Sequence, residues 1–281
     1  MKKIIAFCIL CFILIIPNRA FAFQGYTYAD ADIPIDLIIN GSFISSDVPP
    51  FISYDTTYVP IRVISNVLGA DSVTWEHGTA TIKKGAVTIQ LTENQNVGYV
   101  NGNKVALRGS VKLVNGRCFV PVRFIAESFG ASVGWDPVYY NVHIDKAGIT
   151  VAQAYRKTLY SNDEVFWLGR IIEAESSGEP NKGKVAVGNV ILNRVKSKEF
   201  PNTIYGVIFD RKNGVQFEPI INNTIYNTPS NASIISAKHA LNNTNFVGNS
   251  LFFLNPRTAS SSWITNNRVF YTTIANHDFY L

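Results

Sequence analysis

Cysteine, histidine and methionine are scarce in this chain of 281 residues, which has three Cys, four His and one Met. Two of the cysteines, Cys8 and Cys11, lie in the leading apolar stretch, so Cys118 is the only thiol of the remainder. A single thiol excludes an internal disulfide, and the fold must rest on hydrophobic cores. His77 and His143 fall in the first half, and His239 and His277 in the second. That dispersal argues against a zinc amidase or peptidase, which needs clustered ligands. Cys118 has no histidine in sight to activate it, which argues against a cysteine peptidase. No arginine-rich stripe or dense basic run is present, so no nucleic-acid partner is expected. Beyond the leader, no hydrophobic run is long enough to span a bilayer.

The amino terminus fixes a compartment. Lys2 and Lys3 precede an apolar run from Ile4 to Ile16, followed by Pro17-Asn18-Arg19 and the small-x-small site Ala20-Phe21-Ala22. This is the pattern of a secretory signal peptide over residues 1–22, with the mature chain expected to begin at Phe23. The remaining length suits two domains with self-sufficient cores. Residues 23–150 carry a net charge of about −2 and residues 151–281 about +4. A modestly basic secreted domain suits an anionic polymer such as cell wall.

The first half repeats itself. Tyr58-Val59-Pro60-Ile61-Arg62-Val63-Ile64 returns as Phe119-Val120-Pro121-Val122-Arg123-Phe124-Ile125. Asn40-Gly41 returns as Asn101-Gly102, Gly69-Ala70 as Gly130-Ala131, and Trp75 as Trp135. A regular offset of this kind marks a duplicated supersecondary unit. Each copy predicts a hairpin turning at Asn-Gly, a strand ending at Val-Pro, a short amphipathic helix closed by Gly69 or Gly130, and a final strand pair. These motifs, over residues 33–146, resemble the copper amine oxidase N-terminal-like domain of bacterial surface and secreted proteins. With only His77 and His143, in different copies, we expect no copper site and a non-catalytic role in attachment or presentation at the wall. Trp75 and Trp135 are expected in the core, with stacking on sugar rings as the alternative. Arg62 and Arg123 are expected in structural contacts. A short linker and a brief helical stretch over Val151–Tyr160 then lead to the second half.

There, Ser161-Asn162-Asp163-Glu164 fits a capping box. On the helix it opens, Leu168, Ile171, Ile172 and Glu175 share one side. A carboxyl group thus ends an apolar stripe, where ionisation is costly and the pKa should rise. Such a group suits the general acid of glycosidic bond cleavage. The plainer alternative is a last-turn glutamate bent out to solvent. A largely apolar helix over 182–198, short helices near 203–209 and 233–242, and extended segments at 251–256 and 269–274 complete an α+β pattern.

Six segments carry a second resemblance: Ile171–Pro180, the run Val185–Val195, Phe200-Pro201-Asn202-Thr203-Ile204, Gln216-Phe217, Phe253-Leu254-Asn255-Pro256, and Ile274-Ala275-Asn276-His277. In this order they resemble the SleB-type cell wall hydrolases, which include spore cortex-lytic enzymes, across residues 161–281. The resemblance implies a lysozyme-like α+β domain, mainly helical with a small β element, after the β-rich domain built from two α/β repeats. It implies lytic transglycosylase activity on peptidoglycan glycan strands, with Glu175 as catalytic residue and no metal or other cofactor. Gln216 and Asn255 become candidate sugar or acetamide partners, Phe217 and Phe253 candidate stacking faces, and His277 a candidate lining residue. Two departures stand out: Val215 replaces the family's Gly, and Ser176-Ser177 stand where the family often has Ala-Arg.

The second half offers nine carboxyl groups, Glu218 among them. Glu173 should point away from Glu175, and Glu179 is expected to cap the helix beginning after Pro180. With no second carboxyl identified at the bond, a single acid suffices if the sugar's own C6 hydroxyl is the nucleophile. The protein is then expected outside the cell, in the wall or spore envelope. The competing reading is a non-catalytic wall-binding or adhesion protein with an inactive hydrolase-like domain.

Overall fold

The structure is a computed structural model that describes residues 33–157, 160–212 and 214–281. The expected signal peptide lies outside the described residues.

In the β-rich N-terminal domain, the order strand pair, strand pair, helix, strand pair occurs twice. The first set is β1 (Asp36–Ile39), β2 (Ser42–Phe43), β3 (Phe51–Ser53), β4 (Thr56–Pro60), α1 (Ile61–Val67), β5 (Ser72–Glu76) and β6 (Thr79–Lys84). After the extra strand β7 (Val87–Thr92), the second set is β8 (Val97–Val100), β9 (Asn103–Ala106), β10 (Lys112–Val114), β11 (Arg117–Pro121), α2 (Val122–Ser128), β12 (Ser132–Asp136) and β13 (Asn141–Asp145). Both Asn-Gly turns have positive φ at both residues, as a two-residue hairpin turn requires: Asn40 46° and Gly41 76°, Asn101 50° and Gly102 78°.

The two sets interlock. β11 pairs antiparallel with β4, so that Val59 faces Val120. One sheet joins the last pair of the second set to the first pair of the first set, in the order β12-β13-β1-β2, with β13 and β1 parallel. A five-stranded sheet, β5 to β9, places β7 between the corresponding pairs. Val59, Ile64, Leu68, Val120 and Ile125 are fully buried at the centre. Trp75 and Trp135, expected in the core, are instead 37% and 41% exposed. They sit on β5 and β12, hairpin strands at the edges of their sheets, where one flank has no neighbouring strand. Arg123 pairs with Glu127 one turn on, at 3.2 Å on the surface.

The expected helical stretch before Ser161 is only a single 3-10 turn, Gln153–Tyr155, because Arg156 bridges back to Ile44. The second half contains α3 (Asn162–Ser176), α4 (Asn181–Lys196), α5 (Ile204–Ile208), α6 (Glu218–Ile221), α7 (Asn231–Leu241), β14 (Phe252–Leu254), α8 (Trp263–Asn267), β15 (Phe270–Ile274) and β16 (His277–Tyr280). The three strands form one antiparallel sheet, β14-β16-β15. α3, α4 and α7 pack mutually. Gly188 permits that approach, since a Cβ there would lie 3.0 Å from Ile172 Cδ1 and 3.2 Å from Ala240 Cβ. α6 and α8 are too short to leave a periodic trace in the sequence.

The two halves share one apolar core and a buried polar seam. Asp36 on β1 sits between Lys238 of α7 (2.8 Å) and Lys157 (3.1 Å) and accepts the Tyr160 hydroxyl at 2.9 Å. Lys238, fully buried, also donates to Asn141 Oδ1 at 3.1 Å, and Asn141 donates to Asn162 Oδ1 at 3.1 Å. Burial acts to raise the Asp36 carboxyl, but the charges of Lys238 and Lys157 outweigh it and hold the pKa below the ordinary value. No helix of the described residues is long and apolar enough to cross a membrane.

Candidate active site

α3 places Glu175 one residue before its end. The helix starts where the sequence predicts: Ser161 Oγ accepts from the Glu164 amide (3.2 Å), and the Glu164 carboxylate accepts from the Ser161 amide (2.7 Å). Its far end is fixed from α4. The buried Lys184 donates to the carbonyls of Ser176 (2.9 Å), Ser177 (2.6 Å) and Glu179 (2.6 Å). A cation thus satisfies the orphan carbonyls that end a helix. Ser176 Oγ donates back to the Ile172 carbonyl at 2.6 Å.

Glu173 and Glu179 are both committed elsewhere. Glu173 faces the start of α7, accepting from the Ser230 amide (3.1 Å) and the Ser233 hydroxyl (2.6 Å). Glu179 does not cap α4, whose N-cap is Pro180 with no side-chain bond. It accepts instead from the Asn276 amide (3.2 Å) and Asn276 Nδ2 (2.9 Å). The Glu179 side chain lies against Gly183 in the first turn of α4, while its carboxylate reaches the β15–β16 turn.

Glu175 itself makes no hydrogen bond or ion pair among the described residues. Burial raises its carboxyl to about 7, and the negative charge of Glu218 adds to that shift, while Arg194 opposes it. Arg194 projects from α4 and is 5% exposed. Its Nε donates to the Leu251 carbonyl at 2.7 Å, and its guanidinium lies 4.9, 5.3 and 5.5 Å from the Phe200, Phe217 and Phe252 rings. Burial lowers even this group, to about 10. Its Nη1 is buried without a partner among the described residues. Glu175, the buried cation Arg194 and the exposed carboxylate Glu218 therefore come from α3, α4 and α6.

The other candidate residues are placed less uniformly. Gln216 is half-buried, donating to the Gly214 carbonyl at 3.1 Å. Phe217, expected to offer a stacking face, is only 4% exposed and forms part of the core against Arg194. Phe253 is half-buried, edge-on to His277 at 5.5 Å. Asn255 Oδ1 accepts the Arg257 amide at 3.0 Å, closing its own turn. His277 is 7% exposed, its Nδ1 3.9 Å from Glu179 Oε1, and burial holds the imidazole below its usual pKa against the pull of Glu179 and Asp278. It braces the segment after Glu175 and has no contact with the acid among those described. Among the described residues no three His, Cys, Asp or Glu side chains converge on a metal position.

Sequence reasoning missed Arg194, Lys184 and the closeness of Glu218 to Glu175. A cation inside the apolar run of α4 was a usable signal for the first two. A separate cavity of about 510 Å³ lies at the other end of α3, lined by Asp163, Trp167, Asn202 and Tyr205. Glu175 does not line it.

Comparison with known proteins accounts for both halves. Residues 178–280 match the Cell Wall Hydrolase family model, and residues 38–144 match that of the copper amine oxidase N-terminal domain. The chain thus joins a copper amine oxidase N-terminal domain to a domain of the cell wall hydrolase family. A spore cortex-lytic enzyme of Bacillus cereus is 41% identical over 105 residues, covering 37% of this chain and 39% of the relative. The Bacillus subtilis spore cortex-lytic enzyme is 35% identical over 105 residues, covering 37% of this chain and 33% of its own length. The chain thus spans well under half the length of these relatives. The solved catalytic domain of the germination-specific lytic transglycosylase SleB from Bacillus anthracis is 38% identical, covering 44% of this chain and 99% of that domain, with a TM-score of 0.41.

Proposed function

We propose that this protein is a secreted peptidoglycan-cleaving enzyme that acts as a lytic transglycosylase on the bond between N-acetylmuramic acid and N-acetylglucosamine, with spore cortex as substrate. The proposed division is a leader over 1–22, a non-catalytic wall-attachment domain over 33–146 and a lysozyme-like catalytic domain over 161–281. The carrying observation is Glu175, a carboxyl raised to about 7 by burial at the end of a helix, with no structural partner of its own.

At neutral pH a large fraction of such a group is protonated, so it can give its proton to the glycosidic oxygen as the C1–O bond breaks. The C–O electron pair leaves with that oxygen. The muramic C6 hydroxyl then attacks C1, and its proton returns to the Glu175 carboxylate. The product is a 1,6-anhydro ring, water is not consumed, and the acid is regenerated. Proximity within one sugar replaces an activated water.

The test is digestion of purified cortex peptidoglycan with mass spectrometry of the ends. Anhydromuramic ends, one water lighter than reducing muramic ends, are expected. Glu175→Gln is expected to lose about 10²–10⁴-fold in rate. Reducing ends, or clearing by Glu175→Gln at the unmodified rate, overturn the assignment. Activity of the unmodified protein should fall as pH rises through about 7, because the acid must be protonated to act.

A further inference from the structure

We propose that Glu218 is a second catalytic carboxylate of this site, held at its rim to face the positive charge that develops on the sugar ring as the bond breaks. The inference rests on the reading of Glu175 as the acid. Glu218 is the first residue of α6, which packs against α3, and its charge is felt by Glu175 at the end of that helix. Its neighbours on both sides are anchored: Phe217 is buried against Arg194, and Pro219 is buried as well. The backbone of Glu218 is therefore fixed by core packing, while its side chain is exposed. That side chain makes no hydrogen bond or ion pair among the described residues, and its one structural part is its first-turn place in the short helix α6.

The charges acting on Glu175 come from two elements. α6 supplies Glu218, which favours the protonated acid, and α4 supplies Arg194, which opposes it. Asp210 in turn acts on Arg194. Of the other elements packed on α3, α7 carries Lys238, committed to Asp36, and His239, while α5 and the 3-10 turn Thr224–Tyr226 carry Tyr205 and Tyr226. Two carboxyl groups in unlike surroundings thus act on each other, one sheltered and one solvated. That division is what separates a proton donor from a charge stabiliser.

Glycosidic cleavage passes through an oxocarbenium-like state. As Glu175 gives its proton to the leaving oxygen, positive charge builds on C1 and the ring oxygen. A carboxylate already in place offsets it without reorganisation. Closure by the C6 hydroxyl then removes the charge, and that proton returns to Glu175. Glu218 exchanges no proton and forms no bond.

The experiment uses the full chain on purified cortex peptidoglycan, with initial rates across the pH range for the unmodified protein, Glu218→Gln, Glu218→Asp and Glu175→Gln. Glu218→Gln is expected to lower the acid-side plateau of kcat about 100-fold and move the alkaline limb to lower pH, because Glu175 loses a neighbour that favours its proton. Glu218→Asp should recover part of both, and anhydromuramic ends should persist in the residual product. An unchanged unfolding midpoint of Glu218→Gln assigns the loss to chemistry. A Glu218→Gln plateau within about twofold of the unmodified protein overturns this role, with Glu175→Gln still inactive. An active Glu175→Gln overturns the underlying assignment of the acid instead.

Discussion

Asp36, buried, and Glu175, half-buried, are two carboxyl groups with opposite fates. Asp36 lies in the seam between the halves, between two lysines and a tyrosine hydroxyl, and its pKa is held down. Glu175 lies at the end of α3 with a cation near but not paired, and its pKa is pushed up to about 7. Burial acts on both in the same direction. The difference is the distance to a countercharge, which turns one carboxyl into a structural tie and leaves the other ready to give up a proton. The seam also uses the helix that packs behind the acid, since Lys238 belongs to α7 and α7 packs on α3.

Removing the tie tests that comparison most severely. Asp36→Asn leaves Lys238 and Lys157 facing each other in a buried site, and a loss of about 3–5 kcal/mol in chemical denaturation at neutral pH is expected. The same tie sets an acid limit. Because the folded pKa of Asp36 is depressed, its contribution is present above the ordinary value of 3.8 and is lost as pH falls below it. A neutral Asn variant as stable as the parent would remove the contrast. Glu175→Gln should act the opposite way. Its folded pKa is raised from 4.5 to about 7, so ionisation costs stability as pH rises through that window. The Gln variant is therefore expected to be more stable than the parent by roughly 1–2 kcal/mol at pH about 8, with no gain at pH about 4. The smallest effect is expected from Arg194→Met. Taking away the opposing cation should move the alkaline limb of activity upward by less than about one pH unit, against the downward movement expected for Glu218→Gln. A downward shift would mean that Arg194 reaches Glu175 only through packing.

Much of the local structure was legible because it follows from local rules. Ser161 and Glu164 announce a capping box, and the two Asn-Gly pairs announce hairpins. Glu175 stood out because it ends an apolar stripe. Other features needed three dimensions. Phe217 looked like a stacking face because aromatic residues serve both cores and sugars, and only packing against Arg194 placed it inside. Trp75 and Trp135 looked like core residues until the sheet edges left them exposed. Glu179 lies beside a helix start in sequence, yet it binds Asn276, nearly one hundred residues away.

By itself the sequence determined the repeat, the leader pattern, the helix that bears the acid and the family motifs, because each is written in residues near one another along the chain. The tertiary structure alone decided which charges surround Glu175 and which bind Asp36. Glu218 and Arg194 reach the acid, and Lys238 reaches Asp36, from segments distant in the chain. Electrostatic interaction depends on separation in space and on the loss of water, and a linear sequence records neither.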